Sequence, residues 1–190
     1  MAEIGPTPPI EIDPDVAAQI GRVAVMWSSL EFSVAMCIWE LAQVSYAPGA
    51  CMTAQIVSFE GRLRALLALL KFRKAPQRLI DEVNAFAEAG RAPLSKRNRI
   101  VHDMWIWDSG GNGRIARVEV DAPKKLHFEI KETTLQALKA DADIIFAYGQ
   151  KFKPLKAEIF AALPSLPEIP IEERYPIEDA LLPRRSLTTP

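Results

Sequence analysis

The sequence predicts a mainly α protein. It reads as an antiparallel up-and-down helical bundle with a small antiparallel β meander inserted before the last helix and an extended, Pro-rich C-terminal arm. Three observations carry this. Apolar residues recur at steps of three and four from Val16 to about His102, and again from Leu135. Between about 104 and 131 the period falls to two. Beyond 163, Pro164, Pro167, Pro170, Pro176, Pro183 and Pro190 exclude a long helix. The expected organisation is one helical domain over 1–163, with the β insert at about 104–131, followed by an arm over 164–190.

The first helix starts at Asp13, an N-cap residue followed by Pro14 at the first helical position and Asp15 in the first turn. Val16, Ile20, Val23, Trp27, Leu30, Val34, Cys37 and Leu41 form a heptad seam, so this helix spans roughly 45 Å. Tyr46-Ala47-Pro48-Gly49 is expected to end it. A second helix carries Ile56, Leu63, Leu66, Leu67 and Leu70 inward. Pro76 starts a third, with Leu79, Ile80, Val83, Phe86 and Ala87 inward. Gly90 and Pro93 predict a kink or break, and the helix resumes at Leu94 and runs to about His102.

Trp105 and Trp107 alternate with Ile106 in the first strand of the meander. Ser109–Gly113 is a turn by composition, Ile115, Val118 and Val120 mark the returning strand, and Leu126, Phe128 and Ile130 the third. Thr133 with Gln136 reads as a capping box for the last helix, whose inward residues are Leu135, Leu138, Ala142, Ile145, Phe152, Leu155 and Ile159. Pro154 inside it predicts a kink. The arm is too apolar for a free linker: Ile169, Ile171 and Tyr175 are expected to dock on its own or a partner's surface.

Composition sets the outer limits. The chain has 190 residues, 49% of them hydrophobic and 25% charged, and a formal net charge of −1, values of an ordinary globular protein. The start MAEIGPTPPIEIDPD lacks the basic and apolar parts of a signal peptide. No continuous apolar run reads as a bilayer span. The expectation is a cytoplasmic protein with no membrane partner. Cys37 and Cys51 lie among apolar residues and read as buried free thiols. With two cysteines and two separated histidines, no structural zinc site and no cofactor are expected. The charge is uneven: residues 1–60 carry net −6, residues 61–100 net +7. A basic block of that kind either attracts phosphate or is a solvated face neutralised by the acidic third.

That block ends in KRNRIVHDMW, residues 96–105. Asn98 and His102 are i and i+4, one above the other on a helix. Arg97 precedes that stripe by one position and is long enough to reach the same point. A guanidinium, an amide and an imidazole thus converge on one small volume, which suits a phosphate: Arg holds two oxygens, Asn donates and His moves a proton. The competing reading is a histidine at a helix end with a purely structural role.

The run RNRIVH, followed by an aromatic, resembles the signature of HEPN domains (higher eukaryotes and prokaryotes nucleotide-binding). Arg97, Asn98 and His102 match it residue by residue. The context is similar as well: a long first helix with an acid in WSSLE, a Leu-rich second helix, and a basic segment ending in the motif. The resemblance covers about residues 15–105 and the final helix, leaving out the meander and the arm. It implies a metal-independent endoribonuclease, such as a toxin or defence effector, working on RNA as a homodimer whose two motifs face one cleft. His102 would move protons at the ribose 2′-OH or the leaving oxygen. Arg97 would stabilise the phosphorane, Asn98 would orient His102 or the phosphate, and Glu31 is a candidate orienting carboxylate or an ordinary exposed acid. It also implies a cognate antitoxin partner, although Met104 replaces the tyrosine that toxins of one branch carry two positions after the histidine and that accepts a nucleotide. The alternative is a non-catalytic HEPN-like module that binds a nucleotide or a protein and dimerises; a plain structural bundle is a third reading. Trp105 and Trp107 are core residues by type or base-stacking surfaces, and His127 is an exposed strand residue.

Overall fold

The computed structural model describes residues 13–107, 115–121 and 127–169, without the side chains of 107, 120, 121, 127 and 128. It is a helical bundle with one three-stranded antiparallel sheet. Six helices, α1 (Pro14–Leu41), α2 (Tyr46–Ala54), α3 (Phe59–Phe72), α4 (Gln77–Ala89), α5 (Arg91–His102) and α6 (Leu135–Ala162), surround one core among the described residues. The strands β1 (Met104–Trp107), β2 (Ile115–Asp121) and β3 (His127–Thr133) lie in the order β1-β2-β3 between α5 and α6.

α1 is the centre of the bundle and packs on α2, α3, α5 and α6. Asp13 starts it: its Oδ1 accepts from the backbone N–H groups of Asp15 at 2.8 Å and Val16 at 3.1 Å, a cap worth about 1 kcal/mol. Every residue of the heptad seam is buried except Ile20, which is half-buried. An 18-residue stretch of α1 reaches mean hydropathy 1.2, enough by length and composition for a bilayer span. The expectation that no stretch has that character is therefore too strong. In this fold the apolar seam of α1 faces the other helices.

Local chemistry moves several boundaries. α1 ends at Leu41, where Gln43 turns the chain with φ 55°. Tyr46–Gly49 does not merely end α1; it opens the short helix α2, because Pro48 sits in the first turn, where no N–H is needed. Gly49 lets α2 lie against Trp39, since a Cβ there would stand 2.6 Å from the indole. Thr53 accepts from Trp39 Nε1 at 3.1 Å and donates to Gly49 O at 3.0 Å, so this buried hydroxyl is satisfied. Ile56 lies before α3, which Ser58 caps at Gly61 N. The capping residue of α6 is Thr134, not Thr133: its Oγ1 accepts from Ala137 N at 3.1 Å, and Thr133 closes β3. α6 runs unbroken through Pro154. Its core residues include Tyr148, absent from the predicted set, while Leu135 and Leu155 are half-buried.

Packing against Tyr148 leaves no room for a side chain at Gly90, where α4 ends. The phenol of Tyr148 stacks on Phe86, with ring centroids 4.4 Å apart, and donates to Phe86 O at 3.1 Å. A Cβ on Gly90 would lie 2.3 Å from that phenol oxygen. α5 then starts at Arg91, earlier than Leu94, because Pro93 fits its first turn. Burial pushes the Tyr148 hydroxyl well above its usual range.

The arm is described only to Ile169. Leu166 and Ile169 are buried. Buried Arg73 holds this segment, its Nε donating to Pro167 O and its Nη1 to Leu41 O at 2.7 Å. Ile171, Tyr175 and the rest of the arm lie outside the described residues. Cys37 is buried, as expected, and its thiol is pushed up to about 12 by burial. Cys51 is exposed, contrary to expectation, because it falls on the outer face of α2.

Candidate functional site

α5 has few apolar residues, and only Pro93 and Ile100 are buried. Other contacts therefore fix it. Lys96 pairs with Asp141 of α6. Trp105 Nε1 donates to Ile100 O at 2.9 Å, tying the last turn of α5 to β1. Asp103 takes an extended backbone, φ −70° and ψ 148°, and leads into the sheet, so His102 is the last helical residue. The Asp103 carboxylate lies 3.6 Å from Arg99 and 3.5 Å from Arg117 of β2. Trp105 is thus half-buried and engaged in fixing the helix end. The side chains of Trp107 and His127 lie outside the described ones.

Arg97, Asn98 and His102 come together. Arg97 Nη1 lies 3.0 Å from Asn98 Oδ1 and 3.0 Å from His102 Nε2. A guanidinium can only donate, so the ring nitrogen facing it accepts and carries no proton in this geometry. Asn98 and His102 are exposed and Arg97 half-buried. Arg97 Cζ stands 5.8 Å from the ring centroid of buried Trp27, within the range of a cation–π contact. Its Nε is buried without a hydrogen-bond partner.

The charge balance separates Arg97 from its neighbours. Arg91 pairs with Glu88 at 2.8 Å, Lys96 with Asp141 and Arg99 with Asp103. Among the described residues no carboxylate pairs with Arg97. A half-buried guanidinium that no described carboxylate pairs with is suited to an oxyanion.

Glu31 is not at His102. Its Oε1 accepts from Trp27 Nε1 at 3.0 Å, and its Oε2 lies 3.7 Å from Arg62. Its connection to the motif is indirect: it holds the indole whose face lies under Arg97. Sequence reasoning placed Trp27 in the core seam, and no spacing signal distinguished it from the other seam residues.

Asn98 and His102 line an open groove of about 400 Å³, together with Ser95, Arg99, Asp103 and Glu60 from the first turn of α3. That volume lies within the range of about 300–1,000 Å³ used by small-molecule sites. A second groove, about 300 Å³ between α1 and α6, is lined by Leu30, Phe146 and Phe152 with Lys153 and Lys156 at its rim and contains no carboxylate or imidazole. Among the described residues no group of three or more His, Cys, Asp or Glu side chains could hold a metal ion. The α5 groove therefore brings together the amide of Asn98 and the imidazole of His102 with Arg91 and Arg99, and Arg97 is joined to it through its contacts with Asn98 and His102. Comparison with protein-family models, with curated proteins and with solved structures finds no match to this chain.

Proposed function

We propose that this chain is a metal-independent endoribonuclease of the HEPN type, acting on RNA as a homodimer in the manner of a toxin or defence effector. The observation that carries the reading is the 3.0 Å approach of Arg97 to His102 at the end of α5, made by a guanidinium that no carboxylate neutralises among the described residues. In this reading α1, α3, α4, α5 and α6 form the HEPN-like up-and-down bundle, and the meander and the Pro-rich arm are additions to it. A bound phosphodiester takes over the Arg97 fork, Asn98 orients the phosphate or the ring, and His102, released from Arg97, transfers a proton. Electrostatic stabilisation of the phosphorane by Arg97 is the largest contribution expected from such a site. Exposed apolar side chains on α1 and α6, among them Val25 at 72% and Phe146 at 42% exposure, offer a surface for the second copy.

The test is a mixed pool of RNA and DNA incubated with pure, folded protein in EDTA, with the mass of the protein read by light scattering. RNA cut to 2′,3′-cyclic phosphate ends by a dimer, with DNA left whole, supports the proposal. Intact RNA with folded dimer contradicts the enzyme and leaves the alternative, a HEPN-like nucleotide- or protein-binding dimerisation module.

A further inference from the structure

Cleaving RNA through its own 2′-hydroxyl needs two proton transfers. One proton leaves the 2′-OH as O2′ attacks phosphorus, and one reaches O5′ as the P–O5′ bond breaks. A single imidazole serves one of these in a given step. The geometry points to Glu60 as the group that serves the other. This inference rests on the reading of His102 as a proton-transfer group.

Two carboxylates line the groove that contains His102, those of Glu60 and Asp103. Asp103 is committed to the fold. It lies against Arg99 and Arg117, and its side chain is 11% exposed. Glu60 differs on each count. It is exposed, it comes from α3 whereas the other residues lining the groove flank or belong to α5, and among the described residues it makes no hydrogen bond or ion pair. Glu31, Glu82 and Glu88 each have a basic partner. Ser95, the only hydroxyl on the groove wall among the described residues, is on α5 one turn before Asn98, and no described base is hydrogen-bonded to it. Glu60 also has a local reason to exist, since an acid in the first turn of a helix complements the helix dipole. The test must therefore read chemistry and not stability alone.

The roles follow from chemistry. A carboxylate can accept a proton, so Glu60 is the base: it takes the 2′-OH proton and becomes the neutral acid. O2′ forms its bond to phosphorus. The P–O5′ bond breaks, and O5′ receives the proton carried by the His102 imidazolium, leaving a neutral imidazole. His102 Nε2 holds that proton only after Arg97 has turned from the ring to the phosphate oxygens. The products are a 2′,3′-cyclic phosphate and a 5′-hydroxyl, and both side chains reset by exchange with water.

Two substrates separate the roles: the dinucleotide UpA, whose leaving alkoxide needs a proton, and uridine 3′-(4-nitrophenyl phosphate), whose leaving phenoxide does not. Glu60→Gln is expected to slow both by about 10²–10⁴-fold, with Glu60→Asp recovering part of the loss, while His102→Ala slows UpA by that factor and the nitrophenyl ester by less than about tenfold. Thermal melts of the variants check folding. Glu60→Gln within about threefold of wild type on either substrate overturns the assignment of Glu60 while leaving the nuclease reading in place. A wild-type protein that cleaves neither substrate overturns both.

Discussion

Arg97 Nη1 stands equidistant, at 3.0 Å, from Asn98 Oδ1 and His102 Nε2, so one guanidinium nitrogen holds both partners of the motif. A guanidinium only donates, so the contact requires Nε2 to accept, which places a ring proton on Nδ1. In ¹⁵N spectra of the free protein, His102 Nε2 is expected to show the shift of an unprotonated ring nitrogen. A predominant Nε2–H tautomer would show that the contact does not exist in solution. Arg97→Lys keeps the charge but loses the planar fork. It is expected to cut RNA cleavage by at least about tenfold, since one charge-assisted hydrogen bond is worth roughly 1.5–3 kcal/mol, with no change in fold.

Cys37 makes stability pH-dependent at the alkaline end. Burial is the main cause of its shift; the nearby Lys156 opposes it and Glu40 adds to it. The thiol is raised from 9.0 to about 12 in the folded chain, so above pH 9 the unfolded chain releases a proton that the folded one keeps. The unfolded state then binds fewer protons, and stability falls as pH rises from 9 towards 12. Tyr148, raised by the same cause, adds to the fall. Denaturant titrations across that range are expected to show the decline, reduced in Cys37→Ala. A thiol reagent should label Cys51 in the native protein and both cysteines after unfolding; native labelling of Cys37 would contradict its burial.

Gly90→Ala tests the packing of Tyr148 against the junction of α4 and α5. Gly90 has φ −78°, so its backbone tolerates alanine; the obstacle is the Tyr148 hydroxyl 2.3 Å from the added carbon. The expected cost is about 1–3 kcal/mol, by overpacking. Gly90→Ala combined with Tyr148→Phe removes the oxygen and should regain part of it. Losses that simply add would show that the two positions are uncoupled.

Arg73 is buried, no carboxylate pairs with it among the described residues, and it holds Leu41 O and Pro167 O together. Arg73→Met removes both hydrogen bonds and leaves the buried Leu41 carbonyl unsatisfied, a loss of about 1–3 kcal/mol, while the carbonyl of exposed Pro167 is open to water. Deleting residues 166–190 also uncovers the pocket of Leu166 and Ile169, and is expected to lower the melting temperature. An unchanged melt for both variants would mean that this segment adds nothing to the bundle.

The elements that the sequence revealed are those whose periodicity is strong. Eight seam residues of α1 recur in unbroken steps of four and three, and seven of them are buried in the fold. Asp13 announced its cap because a carboxylate before Pro14 has few other uses. α2 was missed because Pro48 and Gly49 signal a turn in any sequence-based reading, while their helical role depends on Trp39, ten residues away. Thr133 and Thr134 are chemically alike, so only the end of β3 decides which one caps α6. In the candidate site, Arg97, Asn98 and His102 were legible because all three lie within six residues of one helix. Glu31 reads in sequence as an orienting carboxylate or an ordinary exposed acid; it accepts from Trp27 one helical turn back, an i, i+4 spacing that many exposed pairs share. Glu60 was unreadable because α3 brings it to the groove wall, and nothing in its neighbours in sequence marks it.

The central claim concerns His102, and its most direct measurement is the rate of RNA cleavage in EDTA by wild type and His102→Ala at matched folded concentrations. The account predicts a loss of roughly 10²–10⁴-fold, wild-type products ending in a 2′,3′-cyclic phosphate, and an unaltered melting curve, because His102 is exposed. His102→Ala cleaving as fast as wild type, or unfolding outright, would contradict it.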